Sequence, residues 1–205
     1  MPTERFLHLP DEKKRRILIA AVEEFARVPY EKVSINKIIH SAEIPRGSFY
    51  QYFSGKQDLL EHIMKGFRGE MITTAEQTLI NSGGDPFEVF PALMARVFEM
   101  AEQFYNPELF RNLYSCVSAK RVQSFEFFRL ETGEILERFG HLIKNTPFDS
   151  LAVEMKRDII DMLIILLHSS IERCFTEDIS VAASLEEYRR KINIIKNCAL
   201  LKGTV

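Results

Sequence analysis

The 205-residue chain has only three cysteines, Cys116, Cys174 and Cys198, odd in number, far apart and without a CxxC pair. Neither a disulfide framework nor a zinc knuckle is built that way, and a reducing cytoplasm with the thiols as small buried hydrophobes is the expected setting. Glycine (9) and proline (8) are too sparse for a collagen-like or linker-dominated chain. No unbroken apolar run exceeds six residues, the length of Met162–Leu167, far short of the roughly 20 residues that cross a bilayer. Glu4, Asp11 and Glu12 interrupt the N-terminal stretch where an export signal requires a continuous apolar core, so no export and no membrane partner are expected. Gly-rich phosphate loops, HExxH helices and nucleophile motifs are all missing, and we expect no catalytic residues, no cofactor and no metal.

What the chain does contain is 46% hydrophobic and 27% charged residues, the balance of a globular protein. The net charge of −2 hides an asymmetry. Residues 1–68 carry 12 Lys and Arg against 9 Asp and Glu, whereas residues 69–205 carry 15 against 20. A basic head on an acidic body places any polyanion at the N-terminal end.

Apolar residues recur at spacings of three and four and never alternate over six positions, which predicts an all-α fold. A first helix is predicted from about Pro10 to Val28, with Ile17, Ala21, Val22 and Phe25 as its buried stripe and Pro29 as its stop. Ser34 is suited to cap a second, whose face is Ile35, Ile38, Ile39 and Ala42. A third runs from Pro45 to about Phe53, with Phe49 and Phe53 inward, and a long helix follows from Lys56 to Ile80. After the loop Asn81–Pro86, helices are predicted over 86–104, 107–118, 120–145, 150–175 and 181–201.

Two short helices, Ser34–Ala42 and Pro45–Phe53, joined by a tight turn form a helix-turn-helix pattern, in which the second enters the major groove N-terminus first. Small residues are needed where backbone approaches DNA, and Gly47 and Ser48 supply them. Arg46, Ser48 and Gln51 reach base edges; Tyr50, Tyr52 and Lys56, with the helix start beside Ser34, hold phosphates. The run Lys13-Lys14-Arg15-Arg16 is read either as a solvated face or as a phosphate clamp.

The segments ILIAAVEEF (17–25), VSINKI (33–38), AEIPRGSFYQYF (42–53) and KQDLL (56–60), in this order and spacing, resemble the DNA-binding domain of the TetR family of transcriptional repressors. The resemblance implies that Arg46, Gly47, Ser48 and Tyr50 contact bases or backbone and that Tyr52 and Lys56 face phosphates. Glu43 stands where the family often has a turn glycine, Pro45 where Ser or Thr commonly caps the recognition helix, and Pro29 where a glycine is common. The resemblance further implies a DNA-binding domain over 1–55 and a helical regulatory domain over 56–205, which dimerises through its last two helices and holds a small inducer.

The residues themselves point the same way for dimerisation. Met162–Leu167 is apolar on every side of its helix, and the final helix carries a wide seam of Leu185, Tyr188, Ile192, Ile195 and Ala199. Leu163, Leu166, Leu167, Tyr188, Ile192 and Ile195 are the expected interface, in a homodimer that demands a pseudo-palindromic operator on double-stranded DNA. A central core helix in a monomer is the alternative. Eleven of the 16 phenylalanines follow residue 68, and an apolar or aromatic inducer is expected near Phe125 and Phe128, with Arg121, Arg129 and His168 as polar anchors. Two rival functions remain open. The larger half is then a protein-interaction module without an inducer, or a helical-bundle enzyme built on Glu154, Asp158 and Asp161 or on Glu134, Glu137 and His141. The latter carboxylates read better as solvated faces, because the Glu-x-x-His spacing of bundle metal sites is missing.

Overall fold

The three-and-four spacing resolves into helices in the computed structural model, which describes residues 2–103, 106–118, 132–143, 146–177 and 179–201. In chain order these are α1 (Glu4–Leu7), α2 (Asp11–Arg27), α3 (Ile35–Ser41), α4 (Arg46–Tyr52), α5 (Lys56–Asn81), α6 (Pro86–Gln103), α7 (Pro107–Ser118), α8 (Thr132–Ile143), α9 (Val153–Thr176) and α10 (Val181–Leu201). A 3-10 turn, Tyr30–Lys32, separates α2 from α3. The fold is all-α, as expected. The sequence reading lacks α1, and the expected helix over 120–145 is described only from 132 to 143. Two compact units result: residues 1–68 with 100–127, and residues 69–99 with 128–205. Both α5 and α6 therefore supply residues to each unit.

In the second unit α9 packs on α8 and α10. Leu163, Leu167 and Ile171 of α9 and Tyr188 and Ile192 of α10 are buried, and the Tyr188 hydroxyl donates to the Leu163 carbonyl at 3.0 Å. The ring pairs Phe98–Phe175 and Phe87–Phe148 lie 5.0 and 5.8 Å apart. Gly84 closes the loop before α6 with φ +89°, and a Cβ there would meet the Leu142 carbonyl oxygen at 2.4 Å. Two thiols depart from expectation, Cys174 being half-buried and Cys198 exposed, while the Cys116 side chain lies outside the described ones.

In the first unit the core side of α2 is Ile17, Ala20, Ala21 and Phe25; Val22 is only half-buried. The backbone at Val28 is extended, as a residue before proline prefers, and α2 stops there. Asn112 of α7 reaches the open end of α2 and donates to the carbonyls of Phe25 and Ala26 at 3.1 and 2.8 Å. At the end of α3 the Ile44 N–H returns to the Ile39 carbonyl (3.1 Å) and the Glu43 N–H to that of His40 (3.2 Å). This Schellman closure requires a left-handed residue, and Glu43 occupies it at φ +53°. A glutamate there bears a steric cost of about 1–2 kcal/mol that glycine avoids. We expect Glu43→Gly to stabilise the protein by about 0.5–1 kcal/mol in urea unfolding, the gain being reduced by loss of the exposed Arg16–Glu43 pair at 3.5 Å.

Candidate nucleic-acid interface

Seven residues make up α4, and their period sorts them cleanly. Phe49, and Phe53 just beyond, are fully buried, so Arg46, Gly47, Tyr50 and Gln51 are left exposed and Ser48 half-buried. Pro45 takes the N-cap position in extended geometry without a side-chain cap, and its carbonyl accepts the Ser48 N–H at 2.9 Å. The groups expected to read bases therefore lie on the open side of α4, Arg46 and Ser48 at its start and Gln51 near its end. A Cβ on Gly47 would meet nothing within 4 Å, so the fold itself does not require glycine there.

Tyr52, expected to face a phosphate, is instead drawn inward. It is 6% exposed, and its ring lies 6.1 Å from Phe6. Its body is apolar, and the pocket under α1 takes it. Lys56 is half-buried and commits two of its three donors within the chain, to the carbonyls of Tyr30 (2.8 Å) and Glu31 (3.0 Å), while lying 4.7 Å from the Tyr30 ring centroid. It clamps the start of α5 to the turn before α3. The Ser34 side chain makes no cap bond, correcting the expected capping role. Its backbone N–H is spent on Glu24.

Glu24, missed by the sequence reading, organises the base of the motif. Its buried carboxylate accepts Nε and a terminal nitrogen of Arg27 at 2.7 and 2.9 Å and the Ser34 N–H at 3.1 Å. The Arg27 hydrogen bond holds the Glu24 pKa below the ordinary carboxylate range, against the opposing effect of burial. An acidic residue falling on the buried stripe of α2 was the available signal. Asp58 plays a similar part at the next turn, accepting the N–H and hydroxyl of Ser54 at 2.9 and 3.1 Å. The basic run divides: Lys14 pairs with Asp11 at 3.0 Å, Arg16 with Glu43 at 3.5 Å, and Lys13 lies 5.9 Å from the Tyr52 ring centroid.

In the second unit, four of the six expected interface residues, Leu163, Leu167, Tyr188 and Ile192, are buried between α9 and α10 of the same chain and have no surface left for a second copy. Leu166 and Ile195 are half-buried. The open surface of these helices carries Ile165 (67% exposed), Ile194 (65%) and Met162, beside a groove of about 430 Å³ formed with Met155, Ile195 and Cys198. A separate cavity of about 50 Å³ is walled by apolar side chains, among them Met71, Leu79, Phe90, Phe139 and Ile160. His168 is half-buried, with burial pushing its imidazole pKa down, and is not among that cavity's described walls. Arg121, Phe125, Phe128 and Arg129 lie outside the described residues. Among the described residues no three His, Cys, Asp or Glu side chains are grouped to hold a metal, and no helix is long and apolar enough to cross a membrane.

The geometry of α3, its closed turn and an outward-facing α4 defines a helix-turn-helix protein. Residues 17–63 match the family of bacterial regulatory proteins described as the tetR family. Within those residues the chain is similar to the helix-turn-helix domain of that family. It is 33% identical over 67 residues to the fatty acid metabolism regulator protein of Bacillus subtilis strain 168, covering 33% of this chain and 34% of that one. With the uncharacterized HTH-type transcriptional regulator YdgC of the same organism it shares 25% identity over 97 residues, 47% of this chain and 49% of that one. The matched stretches thus span only about a third and about half of those relatives' lengths. In fold it resembles a TetR family regulator from Chloroflexus aurantiacus J-10-FL, with TM-score 0.55, 24% identity and 98% coverage of both chains. A TetR-like regulator from Rhodococcus sp. RHA1 gives TM-score 0.55 at 18% identity, covering 90% of this chain and 96% of that one.

Two outcomes follow from this geometry. Because the Glu24 pKa lies below its unfolded value of about 4.5, its stabilisation is complete above that value and disappears as the pH falls through the folded pKa. Glu24→Gln is expected to lower stability by about 1–3 kcal/mol at pH 7, with the gap to wild type closing in acid unfolding series below about pH 4.5. Gly47→Ala relieves a helical glycine and is expected to raise stability by up to about 1 kcal/mol while weakening duplex binding, as measured by thermal melts and fluorescence anisotropy.

Proposed function

We propose that the chain is a ligand-responsive repressor that binds a pseudo-palindromic operator as a homodimer and releases it when an apolar small molecule occupies the larger unit. The observation that carries the reading is the outward face of α4, where Arg46, Gly47, Ser48, Tyr50 and Gln51 stand together at the end of a braced helix-turn-helix. Arg46 offers the bidentate donor pair that matches guanine, Gln51 the amide that matches adenine, and Gly47 leaves room for a phosphate or base edge against the backbone. Lys56 retains one donor for a phosphate, and Tyr50, half exposed, offers a hydroxyl.

The second copy sits on the outer surface of α9 and α10. Leaving Ile165 and Ile194 two-thirds exposed is costly for a lone chain, and a two-fold related pair covers both. The interface then comprises Met162, Ile165, Leu166, Ile194, Ile195 and Cys198, displaced around the helices from the residues that hold α9 to α10. The apolar cavity takes the inducer, its small present volume growing as Met71 and the half-buried Ile72 and Ile135 move aside. It lies against α5, the helix that begins at Lys56 beside the reading head. Release requires only that the ligand prefer the conformer in which the two heads no longer match the operator.

Selection of bound fragments from a pool of random duplexes tests the whole reading. We expect an inverted repeat whose half-sites lie about 34–36 Å apart, or a multiple of it. Arg46→Ala is expected to lose about 1–3 kcal/mol on the selected duplex and to relax base preference. Ile165→Glu combined with Ile194→Glu is expected to give a monomer by analytical ultracentrifugation. Straight-chain alcohols and fatty acids of graded length, used as apolar probes, are expected to raise Tm and lower duplex occupancy together. A monomeric wild-type chain that enriches no sequence at low ionic strength overturns the proposal.

A further inference from the structure

The segment before α2 lies outside residues 17–63 that match the family, yet it is bonded to the reading helix. The last four carbonyls of a helix have no partner within it. In α4 these belong to Phe49, Tyr50, Gln51 and Tyr52. The first accepts the Phe53 N–H at 2.9 Å. Two of the remaining three are taken by one distant residue: the Thr3 hydroxyl donates to the Gln51 carbonyl at 2.5 Å, and the Thr3 N–H donates to that of Tyr52 at 3.0 Å.

Thr3 is held in place by the turn it starts. Its own carbonyl accepts the N–H groups of Phe6 and Leu7 at 3.0 and 3.3 Å. Phe6 is 1% exposed, with ring centroids 4.7 Å from Phe53, 6.1 Å from Tyr52 and 5.2 Å from His62. A side chain buried that fully in a four-residue helix is an anchor, since so short a helix has no stability of its own.

We propose that residues 2–9 form a clasp on the C-terminal end of α4, with Thr3 and Phe6 as positioning residues for DNA reading. The clasp rests on the reading of α4 as the groove-entering helix. Over seven residues α4 extends about 10 Å, so a small tilt at its clasped end displaces Arg46 and Ser48 at the other. Base-edge hydrogen bonds demand that placement; phosphate contacts tolerate its loss. The clasp therefore sets specificity more than bare affinity.

The test uses the 205-residue chain, the duplex that wild type enriches from the random pool, and a scrambled duplex of equal length in the same salt. Circular dichroism fixes a temperature at which every variant is folded. Thr3→Val and Phe6→Leu are expected to lower the ratio of selected to scrambled affinity about five- to tenfold, the size of one lost hydrogen bond, with scrambled affinity unchanged. Thr3→Ser, which keeps the hydroxyl, is expected to retain the wild-type ratio. An unchanged ratio in Thr3→Val overturns the clasp, as do equal losses on both duplexes; that variant decides the matter if Phe6→Leu does not fold. A wild type that enriches no duplex sinks the DNA reading itself and is recognised before any variant is compared.

Discussion

A helix of seven residues does not hold itself together in water, where isolated helices below about 12–15 residues are marginal. Everything around α4 answers that constraint. Phe49 and Phe53 fix its inner side in the core. The Schellman closure at Ile39–Ile44 sets the direction from which the chain enters, and the Asp58 carboxylate on Ser54 sets the direction in which it leaves. Glu24 ties α2 to the start of α3, Lys56 ties α5 to the turn before α3, and Thr3 occupies the carbonyls at the far end of α4. These anchors come from distant parts of the chain, so α4 is held by contacts that only the assembled first unit supplies. Its orientation is a property of that assembly and not of its own sequence.

Much of the fold was legible because period and punctuation agree over long stretches. Pro10 and Pro29 bracket α2, Ser34 precedes α3, and the Phe49–Phe53 pair fixes which side of α4 is outer. What spacing leaves out has one cause, which is that it says nothing of partners far along the chain. Tyr52 is expected at a phosphate from its place in the motif; Phe6, 46 residues earlier, lies against its ring instead. Lys56 is expected at a phosphate, and spacing alone gives no hint that two of its ammonium donors go to carbonyls 25 and 26 residues away. Four residues of α1 are too few to show any period, and nothing local marks Thr3 as a cap for α4.

The same limit governs the other end of the chain. Leu163, Leu167, Tyr188 and Ile192 are apolar or aromatic at helical spacing, and a stripe of that kind cannot say whether its cover is the neighbouring helix or another molecule. The Tyr188 hydroxyl decides it for one side. Its bond to the Leu163 carbonyl requires the two helices of one chain to lie in contact, and burial pushes the phenol pKa up. What remains is the opposite side, where Ile165 and Ile194 stay in water. An all-apolar hexapeptide such as Met162–Leu167 thus serves two purposes at once, with successive residues pointing inward to α10 and outward to the surface.

At the tip of the head, three locally unfavourable choices stand within five residues. Glu43 adopts a left-handed conformation, Pro45 leaves α4 without a side-chain cap, and Gly47 brings the conformational entropy of glycine into a helix. None is forced by packing: the Gly47 site is open, and Pro45 and Glu43 are exposed. Each opposes folding by about 0.5–2 kcal/mol, in a domain whose total margin is about 5–15 kcal/mol. Such a concentration is tolerated because the buried phenylalanines and the Glu24 and Asp58 hydrogen bonds hold the geometry from behind. It is located on an exposed edge, where the one described side-chain partner of these three residues is Arg16, at 3.5 Å from Glu43. Local strain that packing does not require, placed beside an arginine on an outward helix start, is what a surface shaped by something outside the chain looks like.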